Sequence, residues 1–272
     1  MPQKKWKPEE YDEQCILQYN TAMSMLDTLS LRGDEKILDV GCGTGKISLQ
    51  MAKERVPNGC VLGVDINAAM IEFAKTHNSR ENLSYGCEDI LTFDKENYFD
   101  IAVSFWTLSW IPMKDQIKAL NNIIRSLNED GKLFLMYPMR HDAYDVVDAV
   151  IKMPRWQEYF VGYSMPRAFI TEQLYKNAII SKIPMIITVE KKEIECCYKD
   201  DKEMMDSINC WLAHVDEIPE PEDKQEFLKD VVKAYKIHRG ISTPTMYYST
   251  LEMTGEKYTF ENVPEPRFKC CL

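Results

Sequence analysis

Between Tyr11 and Leu31 apolar side chains recur every three or four positions, at Ile16, Tyr19, Ala22, Met23, Leu26 and Leu29. That period predicts one amphipathic helix, ended by Gly33-Asp34. The pattern then changes. Short apolar runs, "EKILDVG", "CVLGVD", "LSYGCED", "FDIAVSF" and "KLFLMY", read as strands, and "KISLQMAKERV", "NAAMIEFAKTH" and "KDQIKALNNIIRSL" read as helices between them. Asn67 stands at an N-cap position before the second of these helices. Strands alternating with helices require crossover connections, hence a parallel sheet covered on both faces. Residues 35 to about 138 are therefore expected to form a doubly wound α/β sheet.

After Tyr137 the alternation weakens. "AYDVVDAVIKM", "TEQLYKNAII", "DDKEMMDSINCWLAHV" and "PEDKQEFLKDVVKAYKIHRG" have helical spacing, whereas "MIITVEKKEIECCY" and "TMYYSTLEMTGEK" read as long strands. Helices inserted among the last strands would cover the carboxyl edge of the sheet, where open α/β sheets bind ligands.

The sharpest local signal is "ILDVGCGTG", Ile37 to Gly45, with glycines at 41, 43 and 45 directly after a strand. A phosphate loop would require G-x-x-x-x-G-K-[ST], but position 40 is Val40 and Lys46 precedes Ile47. A dinucleotide turn requires G-x-G-x-x-G, and this run is one residue short. A tight turn without a ligand is the remaining plain reading. "DVGCGTG" resembles the S-adenosylmethionine loop of class I methyltransferases, which wraps the methionine and ribose end of that cofactor. The resemblance implies a Rossmann-like, mostly parallel seven-stranded sheet with an antiparallel closing strand and a helical cap. It carries over Gly41, Cys42, Gly43 and Gly45, and then Asp65 as the ribose-binding carboxylate with Ile66 beside it. Asp89 in "GCEDIL" corresponds to the acid near the adenine, with Ile90 as its apolar neighbour. Met70 is either the residue packed on the adenosine or plain core. Asp39 either holds the loop by accepting N–H bonds or reaches the cofactor's amino group. The glycines read as clearance for the methionine end of the donor.

A narrower resemblance follows the fourth strand. "VSFWTLSWIP" and the N-terminal "WKPEEY" are similar to the carboxyl O-methyltransferase group that includes trans-aconitate, malonyl-carrier-protein and juvenile hormone acid methyltransferases. That likeness implies that Gln18 and Trp110 hold a substrate carboxylate. Gln18 read alone is equally a solvated helix residue, and Trp110 equally a core tryptophan. Phe105 and Trp106 are sheet packing or a wall beside the sulfonium, whose charge a ring face attracts. Tyr11 and Trp6 are a lid over the cofactor or a staple for the first helix. Arg140 and His141, after the fifth strand, bind an acidic substrate tail or form a surface charge pair. A carboxylate is ionised at neutral pH and needs no general base. Positioning and exclusion of water are sufficient, and neutral donors such as Gln18 and Trp110 suit the task.

Composition narrows the classes. The chain has 272 residues, 45% of them hydrophobic, enough for one α/β domain with an insertion. The expected division is 1–33 as a helical lid, 34–138 as the cofactor-binding core, and 139–272 as the last strands. The helical substrate cap would be inserted there, at about 140–182 and 200–242. A net charge of −10 disfavours a nucleic-acid partner, since phosphate neutralisation drives such binding. No apolar run reaches transmembrane length and "MPQKKWKPEEYDEQ" lacks a signal core, so a cytoplasmic protein, monomer or homodimer, is expected. The nine cysteines include no C-x-x-C and are expected to be reduced. His77, His141, His214 and His238 share no ligand spacing, and no metal is expected. Lys269 stands where a prenylation box would need cysteine, ahead of Cys270, Cys271 and Leu272. Alongside carboxyl O-methylation, an N- or C-methyltransferase with the same donor site, an inactive donor-binding regulator and a nicotinamide-dependent reductase remain as alternatives.

Overall fold

The computed structural model describes residues 4–169, 171–183 and 185–257; the tail from Lys269 to Leu272 lies outside them. Seven strands form one sheet: β1 (Lys36–Val40), β2 (Cys60–Asp65), β3 (Leu83–Cys87), β4 (Phe99–Phe105), β5 (Leu127–Pro138), β6 (Ile186–Cys197) and β7 (Thr245–Glu256). Their order is β3-β2-β1-β4-β5-β7-β6. The pairs from β3 through β5 are parallel, and β7 runs antiparallel between β5 and β6. The parallel part is the doubly wound sheet expected from the alternation of elements, and the antiparallel closing strand is the one that the resemblance implied.

Side-chain alternation sorts the core into two layers. Ile37, Val61, Ile101, Val103 and Met136 point to one face; Leu38, Val40, Val64, Ala102, Leu133 and Leu135 point to the other. The helices are α1 (Pro8–Gln14), α2 (Ile16–Leu26), α3 (Lys46–Gln50), α4 (Ala68–His77), α5 (Met113–Ser126), α6 (Asp142–Val150), α7 (Glu172–Ala178), α8 (Asp201–Trp211) and α9 (Pro221–Arg239). Helix α5 has no side-chain N-cap. It is held by Leu120, Ile123 and Ile124, which are buried against the second layer, each worth roughly 1.5–3 kcal/mol. Asn67 caps α4, its side chain accepting from the N–H groups of Ala69 and Met70. Edge strand β6 carries Glu190, Lys191, Lys192 and Glu193, charges that discourage pairing with another chain.

Two expectations change. The single helix from Tyr11 to Leu31 is two helices, broken at Cys15, whose backbone (φ −81°, ψ 50°) is not helical. The break lets α1 lean on α8 while α2 buries Leu17, Ala22 and Met25 in the first layer. One straight rod could not meet both surfaces. The helix after the glycine turn is also composite: α3 passes into a π-helical turn, Met51–Arg55.

Candidate active site

The strand order reverses between β1 and β4, and a cleft opens there at the carboxyl ends of the strands, the usual ligand position in such sheets. An outer cavity of about 440 Å³ runs along Gly41, Asp65, Ile66, Asp89, Ile90 and Trp110. An inner one of about 130 Å³ shares Gly41, Asp65, Ile66 and Trp110 and adds Tyr11, Gln18, Met70, Phe105, Trp106, Arg167 and Trp211. A small space of about 30 Å³ under the glycine turn touches Asp39, Cys42 and again Gln18.

All three glycines of the turn have positive φ, 74° at Gly41, 54° at Gly43 and 78° at Gly45, a region costly for residues bearing a Cβ. Two of them clear space for the protein itself. A Cβ on Gly41 would lie 2.2 Å from the Thr107 side chain, and one on Gly45 would lie 2.3 Å from the Tyr85 hydroxyl. Only at Gly43 is the nearest neighbour at ordinary distance, the Tyr11 ring at 3.5 Å. The reading of all three as clearance for a ligand is thus corrected: the outer two lock the turn against β3 and the end of β4. The turn's N–H groups are also engaged internally. Gly41 and Cys42 donate to Val64 O, Gly45 to Cys42 O, and Gly43 to Asp65 Oδ2 at 3.0 Å. Phosphate recognition through these N–H groups is therefore unavailable to the turn, in keeping with its missing sixth position.

Asp39 lies beneath the turn, buried, and accepts from the Ser48 hydroxyl at 2.6 Å. Burial pushes its carboxyl up to about 7; Ser48 works against the rise and the charge of Asp65 adds to it. Of the two roles open to Asp39, the structure supplies a hydroxyl partner from α3 in place of a main-chain N–H. Asp65 ends β2 at the cleft. Burial raises its carboxyl, while the N–H groups of Asn67 and Gly43 oppose that. Each oxygen takes one of those bonds and keeps a further acceptor position.

The outer cavity is lined by apolar and acidic side chains together. Ile66 is 66% exposed although apolar. Met70 is buried on the inner wall and Ile90 on the outer. Asp89 turns its carboxylate to the Leu91 N–H at 2.8 Å, and Ile90 O is held by Asn122.

The end of β4 forms the opposite wall. Trp106 has φ 63°, an outlier for a bulky residue, worth about 1–3 kcal/mol of strain. Its N–H bonds to Met136 O at 3.0 Å, and its indole N–H to Thr21 Oγ1 at 3.0 Å. That donor is spent, so Trp106 offers the inner cavity only its ring. Phe105 adds a second apolar surface. Trp110 ends a single 3₁₀ turn, Leu108–Trp110, edge-on to Trp6 at 5.1 Å. Trp6 in turn meets Tyr11, so the N-terminal aromatics lie over the cleft. Gln18 is buried, and its Oε1 has no hydrogen-bond partner.

The profile of a methyltransferase domain family matches residues 31–178. The chain belongs to this methyltransferase family. Its methyl donor is S-adenosylmethionine. A viral protein named as a methyltransferase, from Invertebrate iridescent virus 6, is 28% identical over 171 residues, 62% of this chain and 63% of that one. The malonyl-acyl-carrier-protein O-methyltransferase of Bacillus cereus is 27% identical over 206 residues, 73% and 74% of the two chains. The juvenile hormone acid O-methyltransferase of Bombyx mori is 29% identical over 130 residues, 46% of each. The matched region thus spans less than two thirds of the viral and insect relatives. Among solved structures, a Bacillus halodurans protein assigned as a methyltransferase superposes with TM-score 0.59 at 17% identity, covering 88% of this chain and 100% of that one. Phosphoethanolamine N-methyltransferase 2 of Haemonchus contortus, solved with S-adenosylhomocysteine, gives 0.58 at 16% identity over 89% and 53%. These two likenesses establish the fold.

The methyltransferase cleft fits its donor on its own chemistry: a carboxylate with acceptor capacity for vicinal hydroxyls at Asp65, an exposed apolar side chain at Ile66, and ring faces opposite. Two residues expected at the methyltransferase site are elsewhere. Arg140 is exposed and ion-paired with Asp145 and Asp148, both at 2.7 Å, because α6 presents those acids on the turn beside it. His141 is half-buried among Tyr144, Trp211 and Tyr248, its Nδ1 out of reach of solvent. Neither lines the inner or outer cavity. Conversely, Thr107, Glu88, Trp211 and Arg167 line the cleft without having stood out in the sequence. Thr107 had a signal, lying between the two tryptophans of "FWTLSW".

Proposed function

We propose that this methyltransferase transfers its methyl group to a carboxylate oxygen of a small or lipid-like organic acid. The observation that carries this reading is that Gln18 and Trp110, two neutral side chains with N–H groups to donate, line the same wall of the inner cavity. The carboxyl O-methyltransferase names of the Bacillus cereus and Bombyx mori relatives support the same acceptor class.

S-adenosylmethionine supplies an electrophilic methyl group when bound. Asp65, Ile66, Met70, Asp89, Ile90, Phe105 and the Gly43 stretch of the turn are the residues to hold it, with Tyr11 closing from the N-terminal side. The Gln18 amide N–H and the Trp110 indole N–H then orient an already ionised acceptor, leaving one oxygen lone pair free to react. No histidine lines the inner or outer cavity among the described residues. An acceptor that needs no proton removed suits such a wall better than a phenol does. The helices between β5 and β6 and between β6 and β7 are proposed as the part that chooses the acid.

Incubation with S-adenosylmethionine and a panel of organic acids should yield methyl esters together with S-adenosylhomocysteine. Methylation confined to nitrogen, carbon or phenols would overturn the reading. Trp110→Phe keeps the ring and deletes the N–H. Loss of one hydrogen bond to a charged group, about 1.5–3 kcal/mol, should raise the acid's KM by roughly 10- to 100-fold, with S-adenosylhomocysteine affinity unchanged. An unaltered KM would take Trp110 out of the acceptor site.

A further inference from the structure

The inner cavity contains one cation among its described lining residues, Arg167, and the fold holds it there with some care. Residue 167 lies in an irregular stretch between α6 and α7 that is pinned at its next position. Ala168 N–H donates to Ser109 O at 2.7 Å, and Ala168 O accepts from the Tyr137 hydroxyl. Tyr137 is itself bonded to the buried amide of Gln116, which also reaches Leu108 O and Ile111 O. One network therefore fixes both the turn that carries Trp110 and the stretch that carries Arg167.

The guanidinium sits 4.3 Å from the centroid of the Trp110 ring. One terminal nitrogen donates to the Tyr144 hydroxyl at 2.8 Å, and Nε is buried without a partner. No carboxylate of the described residues pairs with it. Arg32, Arg55, Arg125, Arg140, Arg155 and Arg239 all have an acidic partner. A half-buried guanidinium presents five donors in a plane, and here only one is used. A guanidinium with no carboxylate partner and a buried, unsatisfied Nε–H, on the wall of the same cavity as Gln18 and Trp110, calls for an anion.

We propose that Arg167 is the counter-ion for the acceptor's carboxylate, so that the protein takes its acceptor as an anion and releases it as a neutral ester. This rests on the carboxylate reading above. The charges balance: as the O–CH3 bond forms and the S–CH3 bond breaks, the electron pair goes to sulfur. Carboxylate and sulfonium both become neutral, and Arg167 keeps its charge. The ester is then left facing a cation it cannot pair with, which favours its departure over the acid's.

The test uses the full chain loaded with S-adenosylhomocysteine. The panel is linear mono- and dicarboxylic acids of four to sixteen carbons and their methyl esters, with binding read from tryptophan fluorescence. In the parent, at least one acid should bind ten-fold or more tightly than its own methyl ester. Arg167→Gln should reduce that acid-over-ester ratio at least ten-fold, and Arg167→Lys should retain part of it, with S-adenosylhomocysteine affinity holding in both. Overturning results are a parent without acid preference, or a ratio that Arg167→Gln leaves unchanged because acid and ester weaken together. The same panel with labelled S-adenosylmethionine separates the two ideas. Acid binding that depends on Arg167 but yields no ester would overturn the proposed reaction and leave the counter-ion standing. Ester formation with an unchanged ratio would do the reverse.

Discussion

The stability of a His141→Phe variant relative to the parent is expected to grow by about 1.4 kcal/mol for each pH unit below 6.5. His141 is enclosed by Tyr144, Trp211 and Tyr248, and its Nδ1 is buried without a partner. Burial, reinforced by the charges of Arg167, Arg140 and Arg239, lowers its pKa from 6.5 to about 3. Below pH 6.5 the unfolded chain takes up a proton that the folded chain refuses. The stability associated with the neutral ring is complete above 6.5 and is lost progressively as pH falls toward 3, about 5 kcal/mol in all. His214, lowered to about 4 mainly by burial, acts in the same direction. Asp39 acts oppositely: its folded pKa is raised to about 7, so its contribution declines as pH rises from about 4 to 7. The parent's own pH profile mixes these terms. The difference between variant and parent, from denaturant midpoints between pH 7.5 and 4.5 without donor, isolates the imidazole. A constant difference across that range would mean the ring protonates freely in the folded state.

Asp65→Ala should raise the dissociation constant for S-adenosylhomocysteine by roughly 10- to 100-fold, or more where the turn also shifts. The carboxylate does two jobs. It accepts from Gly43 and Asn67 N–H, which sets the turn against the start of α4, and its remaining acceptor positions face the donor cleft. Each donor left without a partner costs about 1–3 kcal/mol. Asp65→Asn retains one acceptor oxygen and should lie between parent and alanine variant. Titration calorimetry checks the ranking, and the melting temperature of unliganded protein separates a loosened turn from a lost ligand contact. Unchanged affinity in the alanine variant would remove Asp65 from the donor site.

Much of this was legible in the chain because the signals are local. Strand and helix periods, the glycine run and the Asn67 cap all lie within a dozen residues, and they yielded the sheet. The break at Cys15 was not legible, because no glycine or proline marks it between Tyr11 and Ile16; what divides the helix is that α1 meets α8, some two hundred residues away. The same applies to Arg140 and His141. Adjacent in sequence, they point apart, one into the acids of α6 and one into an aromatic cluster built from α8 and β7. Arg167 was missed for the converse reason. Nothing in "SMPRAF" marks it, and its position is dictated by Ser109 and Tyr137 across the cap. The glycines were recognised, but their neighbours were not. Tyr85, from β3, and Thr107, from the stretch just past β4, fill the missing Cβ positions.

Strand β7 leaves the ribosome after the other six described strands, yet it occupies the sheet position between β5 and β6. Until it arrives, β5 and β6 each present a long unpaired edge, and β5 in particular is almost wholly apolar from Leu133 to Tyr137. During synthesis the stretch from β1 to β4 can pair early, while β5 and β6 wait, open-edged, for residues 245–256. A nascent or truncated chain halted before that point would expose surface suited to sheet-to-sheet association. Soluble production of this protein should therefore depend on completing β7 more than on any single helix of the cap.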